Sequence, residues 1–173
     1  MRLFIALMLD GDAADELAAL RDSLHDRSSS GSFVPRENLH ITLELLGECT
    51  AAERRKAEEA MDSIVFRPFR ITMDKLGFFS RPDGNTWWAG AEESAPLMNL
   101  SRDLRRELSA RGFRLEKRRF RPHATLGRRV VTDAAAGSIR PVCASAEAIS
   151  LMLSERGERG MVYTVLHERR AGE

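Results

Sequence analysis

"LHITLELLG", residues 39–47, decides how the rest of the chain is read. The run has the character of a strand, yet it carries an imidazole and a hydroxyl at His40 and Thr42. Side chains at i and i+2 of a strand share one face, so His40 and Thr42 point together and Ile41 points away. The arrangement recurs in "PHATLGR", residues 122–128, where His123 and Thr125 share a face and Ala124 lies behind. One strand histidine is more often a packed, hydrogen-bonded side chain. The same H-x-T-L tetrapeptide twice, 83 residues apart (123 − 40), is more than packing asks for.

Two such strands facing across a cleft would gather two imidazoles and two hydroxyls. A neutral imidazole takes a proton from an attacking water, and a protonated one gives a proton to a leaving oxygen. Threonine hydroxyls donate hydrogen bonds to phosphate oxygens. This is a kit for hydrolysing a phosphodiester without a metal. Zinc normally needs a third or fourth ligand; Glu44 is in phase with His40, but the second motif has no counterpart. His25 and His167 lack this context and are given no role.

The second motif lies in a basic stretch. Between 111 and 129, Arg111, Arg114, Lys117, Arg118, Arg119, Arg121, Arg128 and Arg129 are opposed only by Glu116. Many such runs are solvated faces, but beside His123 the run suits a track for a polyanion such as RNA. Arg128 follows Thr125 closely enough to neutralise phosphate charge, and Arg36, four residues before His40, would line the same entrance. Candidate stacking aromatics are Phe33, Phe78, Phe79, Trp87, Trp88 and Phe120.

Outward from the motifs, the chain reads as one domain spanning 1–173. Of its 173 residues 43% are hydrophobic and 31% charged, enough to bury a core. The net charge of +1 says nothing about partners. Cys49 and Cys143 show no CxxC spacing and read as two buried free thiols, which fits a reducing cytoplasm. "MRLFIALMLDGD" meets Asp10 and Asp12 too soon for a signal peptide and reads as a first buried strand. No stretch is long enough to span a membrane.

Leu17, Leu20 and Leu24 share a helical face. "SSSGS" (28–32) reads as a flexible loop. Thr50 and Glu53 form a capping box before a helix that turns Ala57, Ala60, Met61 and Ile64 inward. Residues 69–79 alternate as a strand, "RPDGN" turns, and "TWWAGA" returns. Ser94 and Pro96 open a third helix with Leu97, Leu100, Leu104 and Leu108 inside, ended by Gly112. Residues 119–127 read as a strand that Pro122 places at an edge or a bulge. "TDAAAGSIRP" reads as a connection, and two strands around "ERGERG" close the chain. Short connections favour an α+β fold with antiparallel pairing. It would have two pseudo-symmetric lobes, each an antiparallel sheet with outer helices, and a cleft between them.

"VPRENLHITLELLGE" and "FRPHATLGR" resemble the paired HxT motifs of the two-histidine phosphoesterase superfamily. Within it the chain is most similar to the RNA 2',3'-cyclic phosphodiesterases, also called 2'-5' RNA ligases. "RLFIAL", "DGNTWWAG" and "LMLSERGERGMVYTVL" extend the resemblance along nearly the whole chain. "ERGERG" departs from it, because relatives more often have a proline-containing turn there. The resemblance implies metal-independent hydrolysis of RNA 2',3'-cyclic phosphate ends to 2'-phosphomonoesters, with reverse 2'-5' ligation also available. It implies His40 as general acid and His123 as general base, and it supports Thr42, Thr125 and Arg128 as the phosphate site. Arg36, Arg118, Arg119, Arg121 and Phe120 would contact RNA. No metal, cofactor or obligate protein partner is implied, and a monomer suffices. The alternatives are a phosphodiesterase for small nucleotides, such as ADP-ribose cyclic phosphate or 2'-5' oligoadenylate, and a non-catalytic RNA-binding module.

Overall fold

A computed structural model describes residues 1–172. The chain runs β1 (Arg2–Met8), α1 (Gly11–Asp26), β2 (Ser28–Phe33), a 3-10 turn (Arg36–Asn38) and β3 (His40–Glu48). It continues with α2 (Ala51–Asp62), β4 (Phe69–Phe79), β5 (Asn85–Ala91) and α3 (Ala95–Ala110). Four strands close it: β6 (His123–Thr132), β7 (Gly137–Ala146), β8 (Ala148–Gly157) and β9 (Gly160–Arg170).

Alternation along β1 shows how the layers form. Leu3, Ile5 and Leu7 enter the main core, whereas Phe4 and Ala6 join a separate small cluster with Met152. The main core also holds Leu17 and Leu24 of α1, Ala57 and Met61 of α2, and Leu97, Leu104 and Leu108 of α3. The three helices therefore cover one face of the sheet, and Phe4 and Ala6 mark the other. The Thr50–Glu53 capping box starts α2 as the sequence implies, and Ser94 and Pro96 start α3.

The strands form one antiparallel sheet in the order β7-β4-β5-β6-β3-β1-β8-β9, with β2 added to β6. It divides into two halves of like plan. From the middle outward, one half is β6-β5-β4-β7 and the other is β3-β1-β8-β9. They meet at a single registered pair, Ile41 with Ala124. The α+β class and the two-lobed plan are as the sequence implies, with the two half-sheets hydrogen-bonded into one.

Three local expectations are corrected. "SSSGS" is not a free loop but part of β2, held by pairing to β6; tertiary pairing overrides a polar, glycine-containing composition. Much of "TDAAAGSIRP" belongs to β7, which pairs with β4 and ends the sheet order. That end position tolerates Pro141, whose missing N–H would break an inner ladder. β6 begins only at His123, so Pro122 precedes the strand and does not push it to an edge. The "ERGERG" segment is a tight hairpin in which Gly157 faces Gly160.

Candidate active site

The pair Ile41–Ala124 positions the two motifs. Both residues are fully buried on the helix-covered face. Their neighbours therefore point to the opposite face, and the antiparallel register sets His40 beside Thr125 and Thr42 beside His123. All four side chains are half-buried.

The same irregularity follows each motif. Ala6 pairs with Thr42 and Ile5 with Glu44, so Leu43 is an extra residue on β3. Trp88 pairs with Thr125 and Trp87 with Gly127, so Leu126 is an extra residue on β6. Such bulges re-phase the side chains beyond them. Glu44 is thereby turned off the His40 face. It is buried on the helix side, where it pairs with Arg105 of α3; burial raises its pKa and the guanidinium opposes that rise. The in-phase placement of Glu44 with His40 is thus corrected. Arg128, five residues after His123, is brought by its bulge to the histidine face. Its charge lowers the pKa of both imidazoles.

Each ring is clamped alike. His40 Nδ1–H donates to the Asn38 carbonyl at 2.7 Å, and His123 Nδ1–H donates to the Arg121 carbonyl at 2.6 Å. This leaves Nε2 of each as the ring nitrogen not held by the backbone. Nε2 of His40 lies 3.0 Å from Thr42 Oγ1, whereas Nε2 of His123 has no partner among the described residues. Burial is the main cause that lowers both pKa values from 6.5, and the carbonyl bonds oppose it. Arg128 and then His123 further lower His40; Arg118 and Arg128 further lower His123.

Aromatic rings collar both. Phe4 and Tyr163 lie 5.0 and 5.4 Å from His40, and Phe79 and Trp88 lie 5.2 and 6.0 Å from His123. Of the six stacking candidates, only Phe79 and Trp88 reach a histidine of the paired motifs. Trp87 is buried in the core, and Phe33 and Phe120 pack against it. Phe78 lies against Trp87.

The basic residues divide. Arg36 is held by Asp15 and by the Gly11 carbonyl. Arg119 is paired with Glu93, and Arg118 with Glu116 at 2.8 Å, although the charge of Arg118 still reaches His123. Arg121 is exposed, and its carbonyl holds His123. Cys49 and Cys143 are free thiols, but Cys143 is only half-buried, with Arg70 Nη2 2.8 Å from its Sγ. His25 is exposed, and His167 binds Asp62 at 2.7 Å.

Sequence reasoning missed Phe4, Tyr163 and Asn38. Buried Asn38 clamps His40 through its carbonyl, and its side-chain amide donates to the Met161 carbonyl at 2.8 Å, tying β9 to the motif. Tyr163 is the only tyrosine in the chain, a signal that could have drawn notice. A cavity of about 480 Å³, lined in part by Asp10, Asp12, Cys143, Ser150 and Glu168, does not include the histidines. Among the described residues, no group of three or more His, Cys, Asp or Glu could hold a metal ion, and no helix is long and apolar enough to cross a membrane.

Paired H-x-T strands on a two-halved antiparallel sheet define the two-histidine phosphoesterase class. Residues 9–158 match the model of the 2'-5' RNA ligase superfamily, and the chain belongs to that superfamily. The RNA 2',3'-cyclic phosphodiesterase of Aeropyrum pernix is 33% identical over 171 residues, covering 90% of this chain and 94% of the relative. That of Thermotoga maritima is 28% identical over 183 residues, covering 97% and 94%. Among solved structures, E. coli LigT complexed with 3'-AMP superposes with a TM-score of 0.83 at 23% identity, covering 99% of this chain and 98% of that one. TT0787 of Thermus thermophilus gives 0.80 at 26% identity, with both chains fully covered.

Proposed function

We propose that residues 1–173 act as one two-lobed phosphoesterase domain that opens the 2',3'-cyclic phosphate at an RNA 3' end to a 2'-phosphomonoester. The activity named for the Aeropyrum and Thermotoga relatives supports this. The observation that carries it is the matched pair of imidazoles. Both are clamped through Nδ1 to a carbonyl two residues back, and both present Nε2 on one face of adjoining strands.

Water attacks phosphorus while its proton passes to Nε2 of His123, the general base, whose nitrogen is unoccupied. The P–O3' bond breaks, and O3' takes a proton from Nε2–H of His40, the general acid. A depressed pKa makes His40⁺ a ready donor to a developing alkoxide. The product leaves His40 neutral and His123 charged, and solvent exchange resets them. Thr42, Thr125 and the Arg128 guanidinium hold the non-bridging oxygens as charge builds. A 5'-hydroxyl in place of water would give a 2'-5' linkage, but 55 M water outcompetes it at low substrate. One chain supplies both motifs, so a monomer completes the site. Two free thiols suit a reducing cytoplasm.

The test is turnover of an oligoribonucleotide ending in a 2',3'-cyclic phosphate, with EDTA present. His40→Ala and His123→Ala are each expected to lose on the order of 10³-fold in kcat. Near wild-type turnover by both variants would overturn the reading.

A further inference from the structure

The face that carries the histidines is not chemically even, and its uneven part lies beyond the phosphate site. Lys75 pairs with Gly90, and Gly90 with His123, so the lysine shares a cross-strand row with the second imidazole. Neighbouring strands are about 5 Å apart, which puts the β4 and β6 backbones roughly 10 Å apart. Lys75 is exposed and has no ion pair or hydrogen bond among the described residues, unlike Arg36, Arg118 and Arg119. Two strands away from His123, it stands one step outside the reacting phosphate.

The surface between is an aromatic floor. A Cβ on Gly77 would fall inside the Trp88 indole, and one on Gly90 would lie 2.9 Å from its Cζ3. Trp88 thus lies flat across two glycines on β4 and β5, with Phe79 5.4 Å away and His123 at its edge. A flat half-buried ring next to an unpaired ammonium is the combination that holds a nucleotide, by stacking and by phosphate charge. The corresponding positions beside the first motif are filled differently. There His40 is flanked by Met8, Thr42 by Ala6, and Leu45 takes the place of Arg128.

From this asymmetry we infer that Trp88 and Lys75 form a binding subsite for the nucleotide immediately 5' of the cyclic end. Its ring or sugar lies on the Trp88 floor, and its phosphate meets the Lys75 ammonium. The inference rests on the cyclic-phosphate reading and narrows the substrate class to chains over mononucleotides.

The experiment compares a 2',3'-cyclic mononucleotide with a ten-residue RNA bearing the same end, using wild type, Lys75→Gln and Lys75→Arg. Wild type is expected to favour the ten-mer. Lys75→Gln should lower kcat/KM for the ten-mer roughly fivefold, mostly through KM, the scale of one exposed charge contact. It should flatten the dependence of log KM on log salt by roughly 0.7 and leave the mononucleotide unaffected, and Lys75→Arg should restore the ten-mer. Equal effects on both substrates, or none on the ten-mer, would overturn the subsite while the cyclic-phosphate reading stood. Wild-type failure on both substrates would overturn that reading, and the subsite with it.

Discussion

The two halves of the sheet share a scaffold and differ in nearly everything attached to it. Each begins its inner strand with H-x-T-L, bulges at the leucine, and clamps its imidazole to a carbonyl two residues back. After the bulge they part. Glu44 corresponds to Gly127, and Leu45 to Arg128. The β3 half continues as an apolar row in register, from half-exposed Leu45 through Phe4 and Met152 to Val165. On the β6 strand the position after the bulge is instead the cation Arg128. On the proposed reading, the repeated scaffold meets the symmetric demand for two proton carriers around one phosphorus. On the same reading, the differing positions would serve a substrate whose two sides are unlike, with the polyanionic chain on the β6 side.

Making the halves alike at the position after the bulge is the harshest way to break the comparison. Arg128→Leu copies Leu45 into the β6 half and removes the guanidinium from the developing charge. A loss of about 10²-fold in kcat/KM is expected, the scale of one removed charge-stabilising donor, measured on the cyclic-ended RNA. The reverse change, Leu45→Arg, should give no gain, because the cation would stand on the side away from the chain. A comparable loss from both variants would mean that the halves are interchangeable.

The Glu44 difference is a matter of stability. Its carboxylate sits 6% exposed, and its partner Arg105 is 29% exposed and also donates to the Glu116 carbonyl at 2.6 Å. Arg105→Ala leaves that charge buried without a partner. Destabilisation of about 2–3 kcal/mol is expected in chemical denaturation, less than for a fully buried pair because Arg105 is partly wet. The double variant Glu44→Leu/Arg105→Leu should recover part of that loss, since no lone charge remains. A single variant as stable as wild type would show that the pair contributes nothing.

How much of this was legible beforehand follows from what each feature depends on. The H-x-T pairs, the leucine stripe of α3 and the Thr50–Glu53 box are local patterns, and the chain folds as they say. The bulges are not local. Leu43 and Leu126 are extra only relative to a partner strand, so counting in twos put Glu44 beside His40 and gave no reason why Arg128 should face Thr125. β2 escaped reading because its Ser-rich run is a strand only while β6 offers it a ladder. Phe4 and Tyr163 come together at His40 from opposite ends of the chain through strand order alone. Arg36 reads as free from sequence alone because Asp15, which holds it, lies 21 residues earlier.

The smallest expected effect is a displacement along the pH axis, and it sharpens the comparison because both halves contribute to it. Hydrolysis needs one imidazole charged and the other neutral, so kcat/KM should be bell-shaped. At low pH both are charged and the base is lost; at high pH both are neutral and the acid is lost. Burial lowers both free-enzyme pKa values from 6.5, and Arg128 lowers both further. The bell for kcat/KM should therefore sit on the acid side of an ordinary histidine pair. In the bound complex the phosphate's negative charge favours the imidazolium, so the kcat profile should lie at higher pH than that for kcat/KM. Arg128→Leu removes one positive charge near both rings, which makes protonation easier and moves both limbs upward in pH. Limbs that stay put in that variant would mean that Arg128 does not face both halves. The bulge at Leu126 would then have to be read as turning it elsewhere.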